Sequence, residues 1–251
     1  MRLLVTRPEP DVTATAEALR ARGHDVVLEP MLRIEPLETA IPPGRYQAVV
    51  STSANGIRVL AGRPELAGLL NLPFLAVGVA TATAARDAGF ANVRVAEGDA
   101  AALGRLAAAC LDPGNGPILY AAARDRAGRL DAALRDAGFA VVTVVLYRAE
   151  AVAGLSPAAA AALEEGRLDG VLVYSQRTAE TFAACVRRAG LTGSLRGVAA
   201  FAISPAAAAP LRDLGFGRIE VADRPDGDGV LALVPGLDNA ASLKASRPLR
   251  T

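Results

Sequence analysis

Four hydroxyl side chains lie where an apolar run of the sequence gives way to a segment of helical length: Ser53, Thr81, Ser175 and Ser204. Each one alone is explained by N-capping, because a hydroxyl oxygen accepts a hydrogen bond from the first free N–H groups of a helix. Together they indicate a ligand-binding edge, because ligands of open α/β sheets bind at the carboxyl ends of the strands. Helix N-termini at that edge attract anions.

Two arginines strengthen the prediction of an anion site. Arg7 and Arg124 occupy equivalent positions, each just after the first predicted strand of one of two similar units. Either guanidinium could pair with an anion. Two such strand-end rims, facing one another, predict a cleft for a small molecule with several carboxylates.

Other kinds of site are excluded by residue type. The only histidine is His24, at a predicted helix end, and the two cysteines, Cys110 and Cys185, lie far apart. A histidine-based triad and a multi-histidine metal site are therefore excluded, and a zinc site is not expected. No glycine-rich dinucleotide or phosphate loop follows a strand.

The acidic segment at residues 223–229 fails the calcium-loop pattern, because Val234 stands where the loop needs Glu. We expect a turn there, with Asp228 capping a helix over residues 229–234.

The charge balance and the hydropathy of the chain argue against nucleic-acid-binding and membrane-spanning proteins. The 27 Lys and Arg balance 26 Asp and Glu, which argues against a nucleic-acid binder. No apolar run approaches the roughly 18 residues of a membrane span, and the first run, Leu3 to Val5, is too short for a signal peptide. We therefore expect a soluble, cytoplasmic protein with no membrane or nucleic-acid partner and with free thiols.

Short apolar runs alternate with alanine-rich helical segments along the chain, which predicts α/β structure with buried parallel strands. Helix ends with a terminal glycine recur at residues 19–24, 85–90, 134–139 and 211–216. The repeats are offset by about 115 to 126 residues, so two similar α/β units fill the chain.

The two units are not two clean halves. The first strand–helix pair, Leu3 to Arg22, matches residues 118–137. Extended stretches follow the first and third of these glycine turns, at residues 31–38 and 144–149. We expect a discontinuous domain of residues 1–32 and 150–239 and an inserted domain of residues 40–142. Linker strands at 33–39 and 143–149 would join them, and a flexible tail would occupy residues 240–251.

In their order and spacing, these elements resemble the uroporphyrinogen-III synthase family over nearly the whole chain. The matching segments are Thr6-Arg7-Pro8, Ser51-Thr52-Ser53-Ala54-Asn55-Gly56, Val77-Gly78-Val79-Ala80-Thr81-Ala82, Leu134 to Phe139, Leu146-Tyr147-Arg148, Tyr174-Ser175 and Pro225 to Val234. The resemblance implies two flavodoxin-like parallel-sheet domains, a two-stranded linker and an active-site cleft between the domains.

The implied activity is the closure of linear hydroxymethylbilane to uroporphyrinogen III, with inversion of ring D and loss of water, in tetrapyrrole (haem) biosynthesis. The resemblance implies neither a metal nor an organic cofactor. It places Tyr147 on a linker-strand tyrosine that could act as the acid, and Ser53, Thr81 and Ser175 on the substrate cleft. The protein would then be a monomeric lyase whose substrate is a linear tetrapyrrole polycarboxylate.

The chain departs from the family pattern at two points. Ser204-Pro205-Ala206-Ala207 replaces a Gly-x-x-Thr-Ala turn, and Asp125 follows Arg124 where the family has glycine. These departures favour an alternative, a non-catalytic two-lobed protein that binds small anions or regulates. A two-domain sugar-nucleotide transferase is a further alternative, although the chain lacks its acidic base and phosphate loop.

Overall fold

A computed structural model describes residues 1–96, 100–125 and 130–236 of the chain. The chain divides into two compact units. Unit 1 comprises residues 1–33 and the described residues from 150 onward, and unit 2 comprises Ile34–Ala149. The tail expected at residues 240–251 lies outside the described residues, as do the last residues of the domain expected to end at 239.

The described residues form eleven strands and nine α-helices that alternate along most of the chain. The strands are β1 (Arg2–Val5), β2 (Asp25–Leu28), β3 (Leu32–Pro36), β4 (Ala48–Ser51), β5 (Phe74–Val77), β6 (Val93–Ala96), β7 (Ile118–Ala123), β8 (Val141–Ala151), β9 (Gly170–Val173), β10 (Ala199–Ala202) and β11 (Arg218–Val221). The helices are α1 (Asp11–Ala21), α2 (Ala54–Ala61), α3 (Val79–Asp87), α4 (Ala100–Cys110), α5 (Leu130–Asp136), α6 (Pro157–Glu164), α7 (Gln176–Arg188), α8 (Pro205–Ala208) and α9 (Gly227–Leu233).

Each unit is built on one sheet. The sheet of unit 1 has the order β11-β10-β9-β1-β2, and its neighbouring strands are parallel. The other sheet has the order β3-β8-β7-β4-β5-β6, with parallel pairs from β8 through to β6. The predicted α/β class with parallel sheets is therefore confirmed.

The sheets share one spatial order when β3 is set aside. In unit 1 the first two strands along the chain, β1 and β2, lie beside β9, β10 and β11. In unit 2 the corresponding pair, β7 and β8, comes last along the chain but lies in the same place beside β4, β5 and β6. Counted along the chain, unit 1 has the flavodoxin-like order 2-1-3-4-5, and unit 2 has the order 3-2-1-4-5 of the other doubly wound sheets. Each sheet has a point where the strand order reverses.

The strands are apolar because helices cover both faces of each sheet. In unit 1 the core on one face includes Leu4 and Phe182, and the core on the other includes Leu3 and Phe201. Unit 2 likewise has two cores, one around Phe74 and one around Tyr120. Successive strand residues point to opposite faces, so a strand covered on both sides must be continuously apolar.

Glycine ends the helices where the repeats predicted it. The φ angles are 82° at Gly23, 101° at Gly89, 90° at Gly138 and 83° at Gly215. These left-handed values favour glycine, because a Cβ would meet the neighbouring carbonyl oxygen. The chain can thus leave the helix and enter the next strand within one or two residues.

Candidate functional site

The point where the strand order reverses in unit 1 lies between β1 and β9. Arg7 follows β1 after Thr6, Ser175 follows β9 after Tyr174, and Ser204 follows the neighbouring strand β10. Parallel strands present their carboxyl ends at one edge of a sheet, so these three predicted residues lie along one edge of unit 1. We call this edge rim 1.

Arg7 is held on three sides. Its Nη2 is 2.9 Å from Asp11 Oδ2, and its Nη1 is 3.4 Å from the hydroxyl oxygen of Thr15. Its guanidinium carbon lies 4.4 Å from the centre of the Tyr174 ring, which is a cation–π distance. Arg7 is therefore an ion-paired and stacked cation rather than an open anion receptor.

Tyr174 contributes its ring rather than its hydroxyl to this arrangement. The hydroxyl oxygen is buried, and no hydrogen bond of ordinary geometry reaches it from the described residues. Burial raises the pKa of Tyr174 to about 12, while the nearby Arg7 charge acts in the opposite direction. The phenol is therefore neutral at physiological pH, and its raised pKa makes it a weaker acid than an ordinary tyrosine.

The serines of rim 1 cap helices. The Ser175 hydroxyl oxygen accepts from the Thr178 N–H at 3.1 Å, and the Ser204 oxygen accepts from the Ala207 N–H at 3.3 Å. These bonds satisfy the N–H groups that lack intrahelical partners in α7 and α8. Capping, the alternative explanation of these hydroxyls, is thus observed at both positions.

The corresponding reversal point of unit 2 lies between β7 and β4. Ser53 follows β4 and caps α2 by accepting from the Asn55 N–H at 3.2 Å. Arg124 directly follows β7, is exposed, and donates its backbone N–H to the Tyr147 carbonyl oxygen at 2.8 Å. Ser53, Arg124 and Tyr147 thus come from three adjacent strands, β4, β7 and β8, and we call this edge rim 2.

Thr81 does not begin α3. It is the third residue of that helix and is only 4% exposed, and the residue that precedes the helix is Gly78, with a φ of 96°. No side chain caps α3, whereas serines cap α2, α6, α7 and α8. The expectation that Thr81 separates a strand from a helix is therefore wrong, and α3 presents backbone N–H groups at rim 2 instead.

Tyr147 lies in the second half of β8 and belongs to the core of unit 2, with 4% of its surface exposed. Its ring packs beside Gly56 of α2. A Cβ added at Gly56 would lie 3.5 Å from Tyr147 Cε1 and 3.0 Å from Ser51 Oγ. The close approach at Gly56 is thus to the Ser51 hydroxyl, whereas the Tyr147 ring lies at an ordinary van der Waals distance.

Two buried hydroxyls, which the sequence did not reveal, bridge the reversal points. Thr6 donates to the Leu172 carbonyl oxygen at 2.7 Å, from β1 to β9. Ser51 donates to the Ala121 carbonyl oxygen at 2.9 Å, from β4 to β7. These bonds satisfy carbonyl groups where adjacent strands diverge.

Asp11 was also missed, although its spacing of four residues from Arg7 is the spacing of ion pairs in helical segments. That signal was available in the sequence. The contact between Arg7 and Tyr174 left no such signal, because the two residues are far apart along the chain.

In the described part of the chain, no three His, Cys, Asp or Glu side chains are placed to hold a metal ion. Nor is any helix of those residues both long and apolar enough to cross a bilayer.

Comparison with known proteins identifies the family. The sequence model of the family described as uroporphyrinogen-III synthase HemD matches residues 13–232. No curated protein sequence matches the chain.

Two solved structures share the fold. Uroporphyrinogen-III synthetase from Helicobacter pylori has 20% identity and a TM-score of 0.63, with 97% of this chain and 100% of that chain covered. A mutant uroporphyrinogen III synthase from Thermus thermophilus has 20% identity and a TM-score of 0.53, with 98% and 100% covered. Since the family match spans most of the sequence, the chain belongs to the uroporphyrinogen-III synthase family.

Proposed function

We propose that this protein closes hydroxymethylbilane to uroporphyrinogen III, inverting ring D and releasing water, and that rims 1 and 2 bind the substrate. The family match over residues 13–232 carries the assignment of the reaction. The assignment of the rims rests on three features at the carboxyl ends of the strands: the arginines, the serines that cap helices, and the helix N-termini.

At rim 2, substrate carboxylates bind the exposed Arg124 and the first N–H groups of α3, close to Thr81. The helix N-terminus attracts negative charge because its peptide dipoles align and its first N–H groups lack intrahelical partners. Val79, the first residue of α3, is 65% exposed. An apolar side chain in that position offers a contact for the face of a pyrrole ring beside its carboxylate.

The capping serines take part as donors. Ser53 and Ser204 each use a hydroxyl lone pair to accept a backbone N–H, which leaves the hydroxyl hydrogen available to a carboxylate oxygen. Ser175 lies 2.8 Å from the Thr178 hydroxyl, so one of these two hydroxyl hydrogens is engaged within the pair. We therefore assign the stronger substrate contacts to Ser53 and Ser204.

Tyr147 is the proposed acid. When the bond from carbon to the departing hydroxyl breaks, the phenol transfers its proton to that oxygen and water leaves. The carbon then bonds to the substituted carbon of ring D. Ring D is inverted when the older bond from that carbon to its bridging methylene breaks and the methylene bonds to the free α-carbon of the same ring. The proton that this α-carbon loses replaces the one given up by Tyr147. A phenol is protonated at neutral pH, so it can donate without prior activation.

We also propose that the protein works as a cytoplasmic monomer, with residues 33–39 and 143–149 as its linker strands. All the proposed site residues come from one chain, so the site needs no second copy. Both cysteines are free thiols, Cys185 buried and Cys110 partly buried, which fits a reducing compartment.

The experiment is the turnover of hydroxymethylbilane, with the ratio of type III to type I product as the readout. We expect rapid formation of type III product. The alternative function, a non-catalytic two-lobed protein that binds small anions, is not favoured, because the family match is to uroporphyrinogen-III synthase. Tight binding of the product without any turnover would support that alternative and contradict our proposal.

A further inference from the structure

A polar cluster in unit 1 surrounds Arg7 and is formed by Asp11, Thr15 and Tyr174. The guanidinium lies over the Tyr174 ring, and one of its edges faces the Asp11 carboxylate at 2.9 Å. The side chains of Arg7 and Asp11 are 21% and 19% exposed, so the pair is partly accessible to solvent. The cluster thus holds a cation in place and leaves part of it exposed to solvent.

The position of the cation is fixed by its neighbours. The Tyr174 ring lies against one face of the guanidinium, and Thr15, which is buried, contacts Nη1. Gly227 at the start of α9 also comes close, since a Cβ there would be 3.8 Å from Nη1. A rigidly placed guanidinium binds a carboxylate well because less side-chain entropy is lost on binding.

The group that now occupies the guanidinium is a carboxylate, the same chemical group that the proposed substrate carries. Asp11 is the first residue of α1, and no side chain caps that helix. When released from Arg7, Asp11 would remain in the first turn of α1, where the helix dipole stabilises its charge. An incoming carboxylate can replace Asp11 on Arg7 without leaving Asp11 unsolvated.

We propose that Asp11 holds the place of a substrate carboxylate on Arg7 and is displaced from it when the substrate binds. The inference rests on the proposed function, because the ligand it names is a carboxylate of the tetrapyrrole. Its consequence is selectivity: an anion must compete with Asp11, so ligands anchored elsewhere by further carboxylates bind in preference to small monoanions.

The test is Asp11→Asn, which removes the competing charge and keeps the size of the side chain. We expect the KM for hydroxymethylbilane to fall about three- to fivefold, the effect of losing one partly exposed ion pair. Equilibrium dialysis with uroporphyrin III, the oxidised product, should show a similar fall in Kd. Because an anion no longer has to displace a carboxylate, acetate should also inhibit this variant at lower concentration than it inhibits the unaltered protein.

The matched control is Glu165→Gln. It removes the same charge from a residue ion-paired with Arg167 at the end of α6, outside both rims. A second control, Arg7→Gln, should raise KM and Kd. Adding Asp11→Asn to Arg7→Gln should lower neither KM nor Kd. Thermal melts of all variants establish that each is folded.

An unchanged or raised KM and Kd in folded Asp11→Asn would overturn the inference. An equal fall of KM and Kd in Glu165→Gln would also overturn it. Failure of the proposed function gives a different result, an unaltered protein that does not turn over hydroxymethylbilane. If that protein still binds uroporphyrin III, dialysis alone decides the role of Asp11. If it neither turns over nor binds a tetrapyrrole, both proposals fail together.

Discussion

At the scale of single residues, Tyr147 is a core residue that we also propose as the acid. Tyr147 packs beside Gly56 in the core of unit 2, while its carbonyl oxygen accepts the N–H of Arg124 at rim 2. Its backbone therefore belongs to the rim and its ring to the core. Removing only the phenol oxygen separates the two roles, because the ring keeps its packing.

We expect Tyr147→Phe to lower the single-turnover rate by about 10²- to 10⁴-fold, the usual contribution of a general acid. Thermal melting and the affinity for uroporphyrin III should change little. The matched control is Tyr120→Phe, another buried tyrosine of unit 2, which lies in the core on the other face of the sheet. A Tyr147→Phe enzyme with full rate and pure type III product would show that Tyr147 is not the proton donor.

The single histidine makes stability depend on pH. His24 is 4% exposed, its Nε2 has no hydrogen-bond partner among the described residues, and its Nδ1 is 3.5 Å from the Met1 amine. Burial lowers the pKa of His24, and the positive charges of the amine and Arg22 lower it further. The folded protein thus favours neutral His24 more strongly than the unfolded chain does.

A lowered pKa stabilises the fold above the ordinary histidine pKa of about 6.5, and this contribution is lost as the pH falls through and below that value. We expect the free energy of unfolding to fall between pH 7.5 and 5.5, by at most about 1.4 kcal/mol per pH unit from this one proton. Urea unfolding of the protein and of His24→Gln measures the difference, and parallel pH profiles would contradict the prediction.

At the scale of elements, α9 illustrates how two glycines of one helix turn can differ. Asp226 caps this helix by accepting from the Gly229 N–H at 2.7 Å, so the prediction that Asp228 caps a helix from residue 229 is wrong. The cap folds the preceding loop tightly against the helix. As a result, a Cβ at Gly229 would lie 2.2 Å from the Arg224 carbonyl oxygen, whereas a Cβ at Gly227 meets nothing nearer than 3.8 Å.

We expect Gly229→Ala to lower the free energy of unfolding by about 1–3 kcal/mol, because the obstacle is backbone that must shift. Gly227→Ala should be neutral or stabilising by up to about 1 kcal/mol, since alanine favours a helix over glycine. Urea unfolding curves of the two variants measure this contrast directly. Equal urea midpoints for the two variants would contradict the prediction, because the loop before α9 would then shift at little cost in free energy.

At the scale of the whole molecule, the two units differ in continuity. Unit 2 is one continuous segment, Ile34–Ala149, and carries its own sheet and two cores. Unit 1 needs both ends of the chain, because β1 lies between β9 and β2 in its sheet. Without the N-terminal segment, the strands β9 to β11 would lose a central neighbour.

We therefore expect residues 34–149, produced alone, to unfold cooperatively on heating. Residues 150–236 alone should not fold, and adding a peptide of residues 1–33 should restore structure. Circular dichroism and thermal melts of these fragments are the measurement. A cooperative transition in residues 150–236 alone would show that β1 and β2 are dispensable for that sheet.

The sequence by itself determined the features that depend on local interactions. Continuous apolar runs indicated strands buried on both faces, and the repeated glycine turns located helix ends at Gly23, Gly89, Gly138 and Gly215. The offset of the repeats also indicated that the N-terminal strand and helix belong with the far unit. These signals are readable because each depends on residues within a few positions of one another.

Tertiary structure alone decided how the rims are built. Arg7 meets the Tyr174 ring only because β1 lies beside β9, and the Thr6 and Ser51 hydroxyls reach carbonyl oxygens only across neighbouring strands. Likewise the Tyr147 ring is buried by residues of other elements of unit 2, and it packs beside Gly56 of α2. The packing of the whole unit determines which strands are neighbours. Residues remote in sequence therefore come together without any local sequence pattern that predicts the contact.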